Sequence, residues 1–296
     1  IVTYLIMDII NNFFAQLSNF LWGNFGVANL VIGGGIFFLV YSKLTPFRYF
    51  KHAFEILLGK HDDPEDEGQI THFQALSTAL SSTVGIGNIA GVAVAISLGG
   101  PGALFWMWIS AIVGMATKFF TCSLGIMYRG YDSENILQGG PMYVIEYGMG
   151  KKFKFLSYWF SIAGLVGCLS LLQANQLTQI MSDYLSSNTS LTQSFNLNLS
   201  IGIVIALLVS IVIFGGLSRI AEVASKIVPF MVIIYLSAGL YIVLSNIYLV
   251  PSIISTIVFG AFNGSSVAGG FAGTAIVISQ GFRRAAFSNE AGMGTE

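Results

Sequence analysis

Apolar residues in this chain occur in long uninterrupted runs, with polar residues collected between them. Seven runs stand out, at 24–42, 72–98, 102–127, 155–184, 199–217, 227–249 and 254–282. Each is close to or above the roughly 20 residues that a helix needs to cross a hydrocarbon core about 30 Å thick. The pattern changes after the first run. Within Pro46–Leu58, Phe47, Phe50, Phe54, Leu57 and Leu58 recur at helical spacing with Arg48, Lys51 and His52 between them, which predicts an amphipathic helix lying in the membrane interface. The acidic run Asp62-Asp63-Pro64-Glu65-Asp66-Glu67 that follows reads as a solvated loop.

Composition agrees with the runs. Hydrophobic residues make up 54% of the chain and charged residues 9%, against roughly a quarter charged in soluble domains, so a soluble fold is excluded. A net charge of −1 with scattered basic residues gives no reason to expect a nucleic-acid partner. Cys122 and Cys168 lie inside apolar runs with no histidine or second cysteine nearby and read as packing residues. His52, His61 and His72 fall outside the runs, so neither a histidine proton relay nor a buried zinc site has candidates within them.

Lysine and arginine set the orientation. Lys43, Arg48, Lys51 and Lys60 follow the first span, Arg129, Lys151, Lys152 and Lys154 the third, Arg219 and Lys226 the fifth, and Arg283 and Arg284 the seventh. The alternate connections, Gly99–Pro101, Ser186–Asn198 and Asn246–Ser252, contain neither residue type. Short cytoplasmic loops retain positive charge, so the basic connections are expected inside and the N-terminus outside, in the plasma membrane. Lys118, near the inner end of the third span, can snorkel. No basic n-region precedes the first span, so no signal peptide is read. The chain opens on Ile1 and closes on Glu296 just beyond an apolar run, and both ends are expected to continue in a longer protein.

Two spans are interrupted. The second contains Ser81-Ser82-Thr83-Val84-Gly85-Ile86-Gly87-Asn88, where Gly85 and Gly87 each lower helix preference by about 1 kcal/mol. The seventh contains Asn263 to Thr274, including Gly264, Gly269, Gly270 and Gly273. A break inside a membrane leaves backbone N–H and C=O groups unpaired, and it persists only where protein, water or ligand satisfies them. Small residues can also serve simply to let helices pack closely. The second break lies five spans after the first, however, and an odd offset means that the two interrupted helices cross the membrane in opposite directions. Paired interruptions of this kind point to a transporter site at the midplane.

No Asp, Glu, His or Arg lies near the middle of any span, which argues against simple proton coupling. Sodium needs only neutral oxygens, which Ser82, Thr83, Val84 and Asn88 supply through side chains or backbone, with Ser81 and Thr274 nearby. A zwitterion suits the same frame, its carboxylate at freed N–H groups and its ammonium at freed carbonyls. Phe271 reads as a wall of a tight pocket or as a packing aromatic. Gln173, Asn175 and Gln176 read as substrate-facing or interhelical amides.

The runs Ser77–Ala93, Gly99-Gly100-Pro101-Gly102-Ala103, Gly139-Gly140-Pro141-Met142 and Phe287-Ser288-Asn289-Glu290-Ala291-Gly292-Met293-Gly294-Thr295 resemble the alanine or glycine:cation symporters, the sodium:alanine symporter family. The resemblance implies an all-α polytopic membrane protein with the leucine-transporter-like five-plus-five inverted repeat and one extra N-terminal helix. Residues 1–70 then hold that helix and the interfacial one, 71–250 the first five-helix repeat, and 251–296 the start of a second repeat truncated here. About four further helices would complete it, and without them the chain is not expected to transport.

The implied activity is sodium-driven import of a small neutral amino acid, alanine or glycine, by alternating access, with sodium as coupling ion and no organic cofactor. The implied substrate site is Thr83, Gly85, Gly87, Asn88, Gln173, Gly270, Phe271, Gly273 and Thr274. A proton-coupled carrier or exchanger on the same fold is the alternative. A membrane-embedded enzyme would need a nucleophile, acid–base pair or metal in the spans, and no such constellation is there. Glu290 and its glycines could form an inner gate, a helix cap or a plain turn.

Overall fold

The computed structural model describes residues 2–23, 26–62, 68, 70–169, 171–189, 194–263 and 270–294; of residues 2–6, 28, 86–87, 172 and 270–272 it describes the backbone alone. The acidic residues 63–67 and the interruption at 264–269 lie outside the described residues.

Helices dominate. In chain order they are α1 (Val2–Trp22), α2 (Val27–Tyr41), α3 (Thr45–Arg48), α4 (Phe50–Leu57), α5 (His72–Thr83), α6 (Ile86–Gly99) and α7 (Gly102–Met127). Then follow α8 (Pro141–Tyr143), α9 (Lys154–Gly167), α10 (Leu171–Asn188), α11 (Phe195–Ile213), α12 (Gly216–Ser245), α13 (Val250–Phe262) and α14 (Gly270–Asn289). Short strands β1 (Gly130–Tyr131) and β2 (Leu137–Gln138) pair antiparallel between α7 and α8.

Among the described residues, α7, α11 and α12 are individually long and apolar enough to cross a membrane, and α5 with α6 forms a fourth, bent span. The other expected spans take different forms. The first is α2, of 15 residues. The fourth is divided into α9 and α10 around Cys168 and Leu169, and Gln173, Asn175 and Gln176 lower the apolarity of the second part. The seventh is divided into α13 and α14. The sixth begins eleven residues early, because α12 carries Arg219, Glu222 and Lys226 on helical turns, with Lys226 Nζ 2.6 Å from Glu222 Oε1. An apolar run marks where a helix meets lipid, and its polar continuation leaves no such trace.

Helix α1 was not among the expected spans. Asp8, Asn11, Asn12, Gln16 and Asn19 recur three or four residues apart along it, so it is amphipathic, which a search for uninterrupted apolar runs passes over. The hairpin was also unexpected, since two-residue strands carry no periodicity. Asp132 holds it: Oδ1 accepts from the Glu134 and Ile136 N–H groups, each at 2.9 Å, and Oδ2 from Gln138 Nε2 at 3.1 Å.

Helix α7 is the centre of packing, with α2, α6, α13 and α14 against it. Glycines let backbones meet there. A Cβ on Gly102 would stand 2.2 Å from the Gly260 carbonyl carbon, and one on Gly281 2.6 Å from Trp106 Cβ. Trp106 Nε1 donates to Ala261 O at 3.0 Å, pairing a carbonyl at the end of α13. Ala95, Ala103, Met107, Val277 and Ala285 form the buried cluster between α6, α7 and α14. By contrast Leu207, Leu208 and Ile211 of α11 and Phe230, Ile233 and Leu236 of α12 are exposed. Apolar faces of this extent belong against lipid or further helices.

Candidate substrate and ion site at the interrupted helix

Helix α5 begins with a capping box: Gln74 N–H donates to Thr71 Oγ1 at 3.3 Å, and Thr71 N–H to Gln74 Oε1 at 3.0 Å. Its hydroxyls then turn back on the backbone. Thr78 donates to Gln74 O, Ser81 to Thr78 O, and Ser82 and Thr83 both to Ala79 O, at 2.6–2.9 Å. Such back-bonding weakens and bends a helix. It also commits each hydroxyl proton while leaving lone pairs on the oxygen, the arrangement an incoming cation needs.

The helix gives way at the residue after Thr83. Val84 is extended (φ −82°, ψ 98°), and Gly85 takes φ −162°, ψ −143°. Val84 N–H still reaches Leu80 O at 2.8 Å, and the ladder resumes with Asn88 N–H and Ile89 N–H on Gly85 O at 3.1 and 3.2 Å. The axes of 72–83 and 88–99 differ by 42°. No side chain hydrogen-bonds at the N-cap of α6, so among the described residues its positive end is not capped by a side chain.

Asn88 spans the break. Its Nδ2 donates to Thr83 O at 2.5 Å, satisfying a carbonyl the interruption frees. Its Oδ1 accepts the hydroxyl proton of Ser288, a buried residue in the last turn of α14. Asn88 thus joins the two halves of the broken helix to a third element.

The remaining site residues are distributed along α14 and elsewhere. Helices α6 and α14 lie side by side and antiparallel, with Gly99 against Gln280 at one end and Asn88 against Ser288 at the other. Gly273 is buried, and Thr274 Oγ1 donates to Phe262 O at 3.1 Å. At a rise of 1.5 Å per residue they stand about 21–23 Å up the helix from Ser288. Gly270 opens α14, and the side chain of Phe271 lies outside the described residues, as does that of Gly87's neighbour Ile86. Gln173 is exposed on α10, which packs mainly on α11. The structure therefore gathers Ser82, Thr83, Val84, Gly85 and Asn88, with Gly87 in the first turn of α6, and leaves Gln173, Gly273 and Thr274 apart from them.

Ser288 is the functional neighbour that sequence reasoning did not single out. It belongs to the run Phe287–Thr295, but no spacing ties position 88 to position 288. The run's first three residues end α14, and residues 290–294 form the turn that follows. Glu290 (φ 51°), Gly292 (φ 78°) and Gly294 (φ 83°) take left-handed backbone, and Met293 N–H returns to Glu290 O at 3.2 Å. Ala291 packs toward Gly114, and Phe287 stacks on Trp22 with centroids 4.3 Å apart.

Long apolar helices with outward apolar faces, together with a bent span whose break a polar amide bridges, define a multi-pass helical membrane protein. The family model described as the sodium:alanine symporter family matches residues 7–296, and the chain belongs to that family. Relatives include the uncharacterized transporter YflA of Bacillus subtilis, 41% identical over 284 residues, 95% of this chain and 58% of YflA. The sodium/alanine symporter AgcS of Methanococcus maripaludis is 40% identical over 285 residues, 94% of this chain and 60% of AgcS. The amino-acid carrier protein AlsT of Bacillus subtilis is 39% identical over 279 residues, covering 94% of this chain and 56% of AlsT. The chain thus spans a little under three-fifths to three-fifths of these relatives' lengths.

Proposed function

We propose that the complete protein to which this chain belongs is a secondary active symporter of the plasma membrane, importing a small neutral amino acid with sodium by alternating access. The observation that carries the reading is the interruption at Val84–Gly85 with Asn88 across it. It offers freed carbonyls and hydroxyl oxygens at Ser82, Thr83, Val84 and Asn88 for a desolvated sodium ion. Beside them the N-terminus of α6, at Gly85 and Gly87, offers N–H groups to a carboxylate.

Family membership and the sodium/alanine name of AgcS support an amino acid over an inorganic anion and favour alanine, while glycine rests on the resemblance seen in the sequence. In the leucine-transporter-like arrangement, Gln173, Gly270, Phe271, Gly273 and Thr274 join this pocket once the remaining helices are in place. The N-terminus is outside, by the one-sided placement of Lys and Arg.

The deciding experiment is uptake of labelled alanine and glycine into proteoliposomes holding the complete protein. Uptake is expected with an inward sodium gradient and to collapse when sodium is replaced by choline. Uptake that follows a proton gradient and ignores sodium would overturn the reading in favour of proton coupling.

A further inference from the structure

Away from the interrupted helix, one group of side chains has the make-up of a metal centre. His52 and Glu55 stand three residues apart on α4. At 100° per residue they occupy the face opposite Phe50 and Phe54, whose exposed rings mark the lipid side. His61 returns over the same face from the turn that ends the helix. That turn is fixed by Leu58 N–H on Phe54 O at 3.0 Å and Lys60 N–H on Glu55 O at 3.1 Å, with Gly59 left-handed at φ 76°. The imidazole rings of His52 and His61 lie 4.8 Å apart, edge to face, and His52 Nδ1 is 3.9 Å from Glu55 Oε2. One donor atom from each of the three residues falls within 4.8 Å of the others.

We propose that His52, Glu55 and His61 form a binding site for a divalent transition-metal ion of the zinc type on the water-facing side of the interfacial helix. Two imidazoles and a carboxylate, with a fourth position open to water, are a donor set that zinc accepts, whereas magnesium and calcium require mostly oxygen ligands. Tetrahedral donors about 2.0–2.1 Å from zinc sit about 3.4 Å from one another. The group therefore has to contract, and His52 and His61 are exposed enough to do so by side-chain rotation.

The ion has a mechanical consequence. It ties residue 61 to α4, and the next residue, Asp62, holds His72 Nδ1 at 2.5 Å at the start of α5. The inner half of the interrupted helix is thereby linked to a helix anchored in the interface. This consequence rests on the transport reading, but metal binding itself does not.

The test uses the complete protein in detergent, purified through a tag without histidine and titrated calorimetrically with zinc chloride alone. One equivalent is expected to bind, undiminished by excess magnesium. His52→Ala, His61→Ala and Glu55→Gln should each weaken binding about tenfold or more, while His72→Ala changes it less than threefold. No saturable binding, or an affinity that none of the three substitutions alters, overturns the site. In proteoliposomes, micromolar zinc should slow sodium-driven uptake by the parent protein and leave His61→Ala unaffected. Intact binding without any effect on uptake would keep the site and remove its link to α5.

Discussion

At the scale of single residues, Asn88 is the side chain whose loss has the sharpest expected outcome. Its carboxamide donates to Thr83 O and accepts from Ser288. Asn88→Ala leaves both partners unpaired in a half-buried place, at a cost of about 1–3 kcal/mol each. In the complete protein this substitution is expected to abolish sodium-dependent uptake while the protein still inserts in the membrane. Ser288→Ala removes one hydrogen bond, worth about 0.5–1.5 kcal/mol, and should reduce uptake several-fold only. Because the two side chains act through one bond, the double variant should be no worse than Asn88→Ala. A cycle of thermal-stability measurements in detergent in which the two effects add would disprove the coupling. Asn88 was legible in the sequence because an amide amid glycines in an apolar run is unusual. Ser288 was not, since a serine among small residues carries no mark of a partner 200 positions away.

Elements were legible to the degree that their periodicity was long. Helix α7 matches its apolar run from end to end and α11 lies within four residues of its own, whereas α12 starts eleven residues before its run, and α1, an amphipathic helix, and the β1–β2 hairpin had no such signature. The Gly99–Ala103 run, which carried part of the family resemblance, proves to be a packing device as much as a motif. Gly100 takes φ 71°, and Gly102 meets Gly260 backbone to backbone. Gly102→Val is therefore expected to separate α7 from α13 and destabilise the fold by roughly 1–3 kcal/mol, as overpacking does. Gly34→Ala, at a position where an added Cβ meets nothing within 4 Å, should leave stability unchanged or slightly raised. Thermal melting of the two variants in detergent checks the contrast.

The hairpin gives a pH prediction at the same scale. The Ile136 N–H chiefly, with Gln138 and the Glu134 N–H, holds the Asp132 carboxyl below its usual range, against a smaller opposing effect of desolvation. A carboxyl with a lowered folded-state pKa stabilises the folded form above its ordinary value, about 3.9. That contribution fades as pH falls through the lower, folded value. Amide exchange at Glu134 and Ile136 should accelerate, beyond its ordinary pH dependence, below about pH 4. Asp132→Asn should show the faster exchange already at neutral pH; equal protection in the two proteins would remove Asp132 as the clasp.

For the whole molecule, the division of the fourth span gives the expected sidedness of the connections a sharp test. If α9 and α10 together cross the membrane once, the hairpin before α9 and the end of α10 lie on opposite faces. If the break at Cys168–Leu169 returns the chain, they lie on the same face. The charge pattern favours crossing: Arg129, Lys151, Lys152 and Lys154 precede α9, and no Lys or Arg occurs between α10 and α11. Ser133 and Ser187 are exposed and isosteric with cysteine, so each can report its side without altering that charge pattern. In the complete protein, with Cys122 and Cys168 replaced by alanine, Ser187→Cys should react with a membrane-impermeant maleimide on intact cells, and Ser133→Cys only after permeabilisation. Labelling of both from outside, or of neither, would mean that the chain turns back at Leu169. The amides of α10 would then belong to a re-entrant segment, and Gln173 would reach the pocket from the same side as the basic loops.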